Sequence, residues 1–173
     1  MNHYQQERQQ RANQIINQLK EQVPPILATY PVDMAYLYGS VARKRPLPTS
    51  DIDIALILRE VPATGKDILY LEFAIQAALE DGCGLANFDV RTINNAPLMV
   101  RGEVVQRGIL LYQRDEDVRV AFEVLTRKLY FDYLPTAKRM QQAFLRHIHQ
   151  KGLSHGKSKH LERVTQQSAE LSG

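Results

Sequence analysis

Cysteine is almost absent: Cys83 is the single thiol in 173 residues. It cannot close an internal disulfide, so noncovalent packing must hold the fold, as suits a reducing cytoplasm. Long apolar runs are missing too. Nothing approaches the roughly 20 apolar residues of a membrane span. The N-terminal MNHYQQERQQRANQ is polar and has no apolar region of the signal-peptide kind. The expected location is therefore cytoplasmic, with no membrane partner. Charge is also low, with a formal net of +3. That allows an anionic ligand such as a nucleotide, but the basic residues are too scattered along the chain to predict direct nucleic-acid binding. Internal repeats and strongly biased segments are lacking. What is present is 44% hydrophobic content, ample for a core, in a length that fits one domain.

Read in order, residues 5–22 place Ile15, Ile16 and Leu19 at helical spacing, and Val23-Pro24-Pro25 should end that helix. Met34 to Tyr38 reads as a strand. Gly39-Ser40 is a sharp exit from it, with a short helix to follow and Ser40 as its N-cap. Pro46 and Pro48 stop this helix, and Asp51–Leu58 forms the next strand. Residues 66–81 are helical in period, stopped by Gly82 and Gly84. Leu85–Ile93 is a third strand, Pro97 opens a helix to about Arg107, and Ile109–Tyr112 is a fourth strand. From Asp115 to about His149 the pattern is helical, with a break or kink at Pro135, and 151–173 is a polar, basic tail. Strands alternating with helices predict an α/β (α+β) fold, a small mixed sheet of about four strands packed with helices.

The stretch LYGSVARKRPLPTSDIDIALIL, Leu37–Leu58, is the centre of interest. Asp51 and Asp53 stand two apart inside an apolar run. On a strand they share a face that Ile52 and Ile54 do not. Carboxylates in such a setting are costly unless something pairs with them, and hard oxygen ligands suit Mg²⁺ or Mn²⁺. Asp89, in the apolar Asn87–Arg91 segment, is the candidate third carboxylate. Gly39-Ser40 supplies the complement, since a glycine lets backbone amides approach an anion and the Ser40 hydroxyl can reach a phosphate oxygen. A phosphate cradle beside a carboxylate-bound cation is equipment for phosphoryl or nucleotidyl transfer.

Gly39-Ser40, ten residues, then Asp51-Ile52-Asp53 resembles the signature of the DNA polymerase β-type nucleotidyltransferase superfamily. The string GSVARKRPLPTSDIDIAL resembles its minimal nucleotidyltransferase (MNT) branch, commonly the antitoxin of a HEPN ribonuclease toxin. The likeness runs over about residues 30–145. It implies the nucleotidyltransferase fold with added N- and C-terminal helices, in a single domain over 1–150. The catalytic core would be about 30–112 and the C-terminal helices about 115–149. It implies metal ligation and catalysis by Asp51, Asp53 and Asp89, and triphosphate binding by Gly39, Ser40 and Arg43, although Lys44 and Arg45 beside it could contact phosphate as well. The activity implied is transfer of AMP from ATP to a tyrosine of a HEPN toxin, with Mg²⁺ as cofactor and a hetero-oligomer as the assembly. Two other readings stand beside it: a non-catalytic antitoxin that sequesters its toxin, and a small-molecule, aminoglycoside-type nucleotidyltransferase. Tyr36 and Tyr38 could stack on a base or pack in the core. Arg91 could face the same site. Lys66 reads as a surface charge, and His147, His149, His155 and His160 lack ligand-like convergence. Tyr130, Phe131 and Tyr133 could be core or toxin contact.

Overall fold

In a computed structural model the described residues are 3–151. The tail expected over 151–173 thus falls outside them apart from its first residue, as do His155 and His160. The elements are α1 (His3–Leu27), β1 (Val32–Leu37), α2 (Gly39–Ala42), β2 (Ile52–Leu58), α3 (Gly65–Cys83), β3 (Phe88–Thr92), α4 (Leu98–Arg107), β4 (Ile109–Gln113) and α5 (Glu116–Lys151). This is the order expected from the sequence. The strands form one mixed sheet in the order β3-β2-β1-β4. β1 runs antiparallel to β2 and β4, while β2 and β3, joined through α3, are parallel. The chain divides into two compact units at Asp132/Tyr133. The first holds the whole sheet; the described part of the second is helical.

The uninterrupted apolar run of β2 is explained by burial on both faces. Ile52, Ile54, Leu56 and Leu58 pack with Ile16, Leu19, Val23 and Leu27 of α1 and with Ile75 and Leu79 of α3. Ala55 and Ile57 face the other way, into a cluster with Met34, Tyr36, Ile93 and Val104, against which Phe122 of α5 packs. Asp53 lies between Ile52 and Ile54 in the strand and so shares the face of Ala55 and Ile57. Close helix packing on that face depends on Gly102 of α4: a Cβ there would fall 2.0 Å from the ring of Tyr130. Tyr130, buried to 9% exposure, is accordingly core.

Several boundaries differ from expectation. α1 does not stop at Val23-Pro24-Pro25 but runs through both prolines to Leu27. The prolines each lack an N–H, yet Val23 and Leu27 on either side are fully buried, and Ala28 N–H donates to the Pro24 carbonyl at 3.0 Å. Burial outweighs the lost hydrogen bonds. α5 likewise runs on through Pro135 without ending. β3 begins at Phe88, not Leu85, after Asn87 turns the chain with φ 64. The stop of α3 is as expected, with Gly84 at the C-cap in the left-handed conformation.

Candidate active site

The site lies at one end of the β1–β2–β3 sheet. β1 ends at Leu37, and Tyr38 N–H donates to the Asp53 carbonyl at 3.0 Å, holding the exit of β1 against the start of β2. Gly39 follows with φ 71 and opens α2. Two constraints require glycine here. The positive φ is one. The other is space, because a Cβ would sit 1.9 Å from Asp53 Oδ2. The backbone of Gly39 is thus packed directly on the Asp53 carboxylate. Ser40 does not cap α2, as the sequence suggested. Tyr38 holds the cap position, without a side-chain hydrogen bond, and Ser40 is half-buried inside the first turn.

The three acidic residues come from two strands. β2 begins at Ile52, one residue later than expected, so Asp51 lies just outside the strand and is exposed; Asp53 is half-buried. Asp89 is the parallel-register partner of Asp53, which puts both on one face of the sheet. Burial raises the Asp53 pKa, the charges of Asp89 and Asp51 raise it further, and Arg43 acts in the opposite sense. Three carboxylates thus share one neighbourhood with too little positive charge. Asp89 is partly neutralised: Arg91 Nε donates to its Oδ1 at 2.8 Å, and the Arg91 NH1 lies 4.0 Å from Glu72. Arg91 therefore does face the site, as a partner of Asp89. Among the described residues, no three acidic, histidine or cysteine side chains converge closely enough to grip a metal ion as they stand. The donor set nevertheless fits a hard divalent cation, because oxygen ligands with uncompensated charge are what Mg²⁺ and Mn²⁺ require.

Tyr38 is half-buried beside the same charges. Burial first, then Asp53 and Asp89, raise its pKa. Tyr36 is different: at 2% exposure it is core, and its hydroxyl donates to Glu123 at 2.9 Å. Arg43 is exposed and borders a small cleft with Tyr38, Gly39, Ala42, Glu103, Arg107 and Gly108. Lys44 and Arg45 do not line that cleft. Lys66 is exposed, its ammonium 5.5 Å from the Tyr70 ring. His147 is exposed on α5. Phe131 is 56% and Tyr133 39% exposed. The sequence did not single out Glu123, Arg119, Glu72 or Gly102; only Gly102, a glycine inside a helical pattern, carried a visible signal.

The profile of the family described as "Polymerase beta, Nucleotidyltransferase" matches residues 21–117. The chain belongs to this family. A Methanocaldococcus jannaschii protein named "Putative protein adenylyltransferase" is 32% identical over 94 residues, covering 54% of this chain and 95% of that protein. The crystal structure of a toxin-antitoxin with AMP-PNP superimposes with a TM-score of 0.53 at 22% identity, covering 78% of this chain and 98% of the other. A mutant of the toxin-antitoxin MntA-HpeT gives 0.52 at 20% identity, with 78% and 98% covered. A Shewanella oneidensis protein gives 0.51 at 19%, with 70% and 91% covered. These structures show a shared fold.

Proposed function

We propose that the protein is an antitoxin of the MNT type that transfers AMP from ATP to a tyrosine of a cognate HEPN ribonuclease toxin in the cytoplasm. The observation that carries this reading is the in-register pairing of Asp53 with Asp89, with the Gly39 backbone seated on the Asp53 carboxylate. The named relatives add support: one carries protein adenylyltransferase in its name, and the solved structures include a toxin-antitoxin with AMP-PNP.

Asp51, Asp53 and Asp89 would hold Mg²⁺, with Mn²⁺ as a substitute; bound there, the cation would neutralise the carboxylates and polarise the phosphates. Gly39 presents backbone amides to the triphosphate and Ser40 its hydroxyl, while Arg43 supplies positive charge. Asp89 accepts the proton of the acceptor hydroxyl. The phenolic oxygen then bonds to the α-phosphorus, the bond to the bridging oxygen breaks, and pyrophosphate leaves. These roles lie in the catalytic core, about 30–112. The phosphodiester adds negative charge and bulk to the toxin and silences it.

The test is intact mass of the HEPN partner after coexpression. Wild type should add AMP units, and Asp51→Ala with Asp53→Ala should add none. An unmodified partner beside wild type would sink the proposal. One observation favours sequestration as an additional mechanism. Within 116–132 of α5, Val118, Val124, Leu125 and Leu129 are each more than 40% exposed, a surface suited to a protein partner. If the inactive double variant still binds and fully protects cells, sequestration rather than transfer neutralises the toxin.

A further inference from the structure

Arg8 and the triplet Arg43-Lys44-Arg45 are remote in sequence, and the fold gathers them. A pocket of about 570 Å³ opens between the first turns of α1 and the loop after α2, lined by Gln5, Arg8, Gln9, Arg43, Lys44 and Arg45. That volume is in the range of small-ligand sites, roughly 300–1,000 Å³. Among the described residues of the lining, every ionisable side chain is cationic, and the other two are amides. Glu7, next to Arg8 in the sequence, lies with a carboxylate oxygen 3.1 Å from His3 Nε2.

The arrangement is held in place. Arg8 Nε donates to the Pro46 carbonyl at 2.8 Å, a second Arg8 nitrogen donates to the Arg45 carbonyl, and Arg11 donates to the Pro48 carbonyl at 3.3 Å. These bonds tie α1 to the loop that carries the other cations. Lys44 turns the chain with φ 56, and its N–H donates to the Val41 carbonyl at 2.9 Å. A cationic side chain occupies a left-handed turn that a glycine would adopt at less cost. Like charges gathered in this way repel one another, and an anion relieves that repulsion. Among the described residues, Arg43 alone is shared between this pocket and the cleft beside Gly39. The two sites adjoin without coinciding.

We propose that this pocket is a second anion site, which takes the linked phosphates of a ligand other than the nucleotide held at Gly39-Ser40. Arginine, lysine and amide side chains are the usual phosphate contacts. Those phosphates could belong to an inorganic oligophosphate or to a short oligonucleotide. The Tyr4 ring, 51% exposed and 5.7 Å from the Arg8 guanidinium, would stack a base in the second case.

The test reads binding alone and so does not depend on transfer activity. With excess Mg²⁺ and saturating AMP-PNP, the full chain is titrated calorimetrically with tripolyphosphate and, separately, with 5′-phosphorylated triadenylate. At least one should bind with unit stoichiometry while AMP-PNP remains bound. Tripolyphosphate binding as tightly as triadenylate assigns the site to bare phosphates; triadenylate alone assigns it to an oligonucleotide. Lys44→Gln with Arg45→Gln should weaken the probe about tenfold or more through the loss of two charged contacts, and leave AMP-PNP affinity close to wild type. Lys44→Gly with Arg45→Gln preserves the turn and should behave the same way. If AMP-PNP itself fails to bind, the titration without it still tests the pocket. Binding of neither probe, exclusion of both by AMP-PNP, or undiminished binding by both variants overturns the proposal.

Discussion

Two groups of carboxylates in this fold differ in how their charge is balanced. Asp53 is only half-buried, yet its pKa is raised, by burial and by the charges of Asp89 and Asp51. Glu123 is more deeply buried, at 8% exposure, yet its pKa is lowered. Burial alone would raise it, but the Tyr36 hydroxyl, Arg119 and Arg127 outweigh that. Arg119 lies 3.1 Å and Arg127 3.0 Å from its carboxylate oxygens. Partners, not depth, decide which carboxylate is satisfied. The Glu123 group fixes α5 to the sheet. Among the described residues the aspartate group is only partly compensated, by Arg91 on Asp89 and Arg43 beside Asp53, and the proposed cation would supply the rest.

The comparison breaks most visibly if the aspartates are neutralised. Asp51→Asn with Asp53→Asn should reduce AMP transfer by about 10²–10³-fold or more, the scale of losing charge stabilisation at a reacting centre. Stability should hold or rise, since repulsion is relieved. Thermal melting beside a transfer assay checks both. A double variant that melts well below wild type would mean the aspartates are structural after all. The next effect is steric. Gly39→Ala forces a methyl onto Asp53 Oδ2 and strains a positive φ; it should cost about 1–3 kcal/mol of stability, with transfer lost as Asp53 is displaced. Chemical denaturation measures the first and the mass assay the second.

The aspartate group was legible in the sequence and the glutamate group was not. Gly39-Ser40 and Asp51-x-Asp53 lie close in the chain, and the role proposed for them rests on local geometry that spacing reveals. Asp89 was legible because a carboxylate inside an apolar strand is conspicuous. Tyr36 and Glu123 are 87 residues apart, and neither is unusual locally: a tyrosine in a strand and a glutamate on a helix. Arg8 and Pro46 are joined across 38 residues, which is why scattered charge in the sequence became a basic pocket in the structure. The same reasoning explains α1, where local propensity predicted a stop at Pro24-Pro25 and the tertiary burial of Leu27 overrode it.

Glu123→Gln tests the satisfied side of the comparison. It removes two ion pairs and leaves Arg119 and Arg127 facing a neutral amide, so a loss of about 2 kcal/mol is expected, reduced from a fully buried case because Arg127 is 42% exposed. The loss should depend on pH. A folded-state pKa below the unfolded one gives a contribution that is complete above the unfolded carboxylate value, about 4.3, and disappears as pH falls through the lower folded value. Wild type and variant should therefore differ most near neutrality and converge in acid. Urea melts at neutral pH and at several acid pH values would show this. A constant gap would assign the role of Glu123 to packing.

Arg91 gives the smallest effect on stability and the finest test, because Asp89 stands between the two groups: a member of the unsatisfied cluster that has found one partner. Arg91 is 57% and Asp89 40% exposed, so their ion pair is worth less than about 1 kcal/mol. Arg91→Ala should therefore melt within a few degrees of wild type. What it changes is the electrostatics of the cluster. Asp89 Oδ1 loses its donor and the neighbourhood loses a positive charge, so a divalent cation meets a freer ligand and a more negative site. Mn²⁺ affinity, read by electron paramagnetic resonance without nucleotide, should rise severalfold. If it falls instead, Arg91 holds Asp89 in the orientation that the cation needs, and the pair belongs with Glu123 as architecture rather than with Asp53 as chemistry.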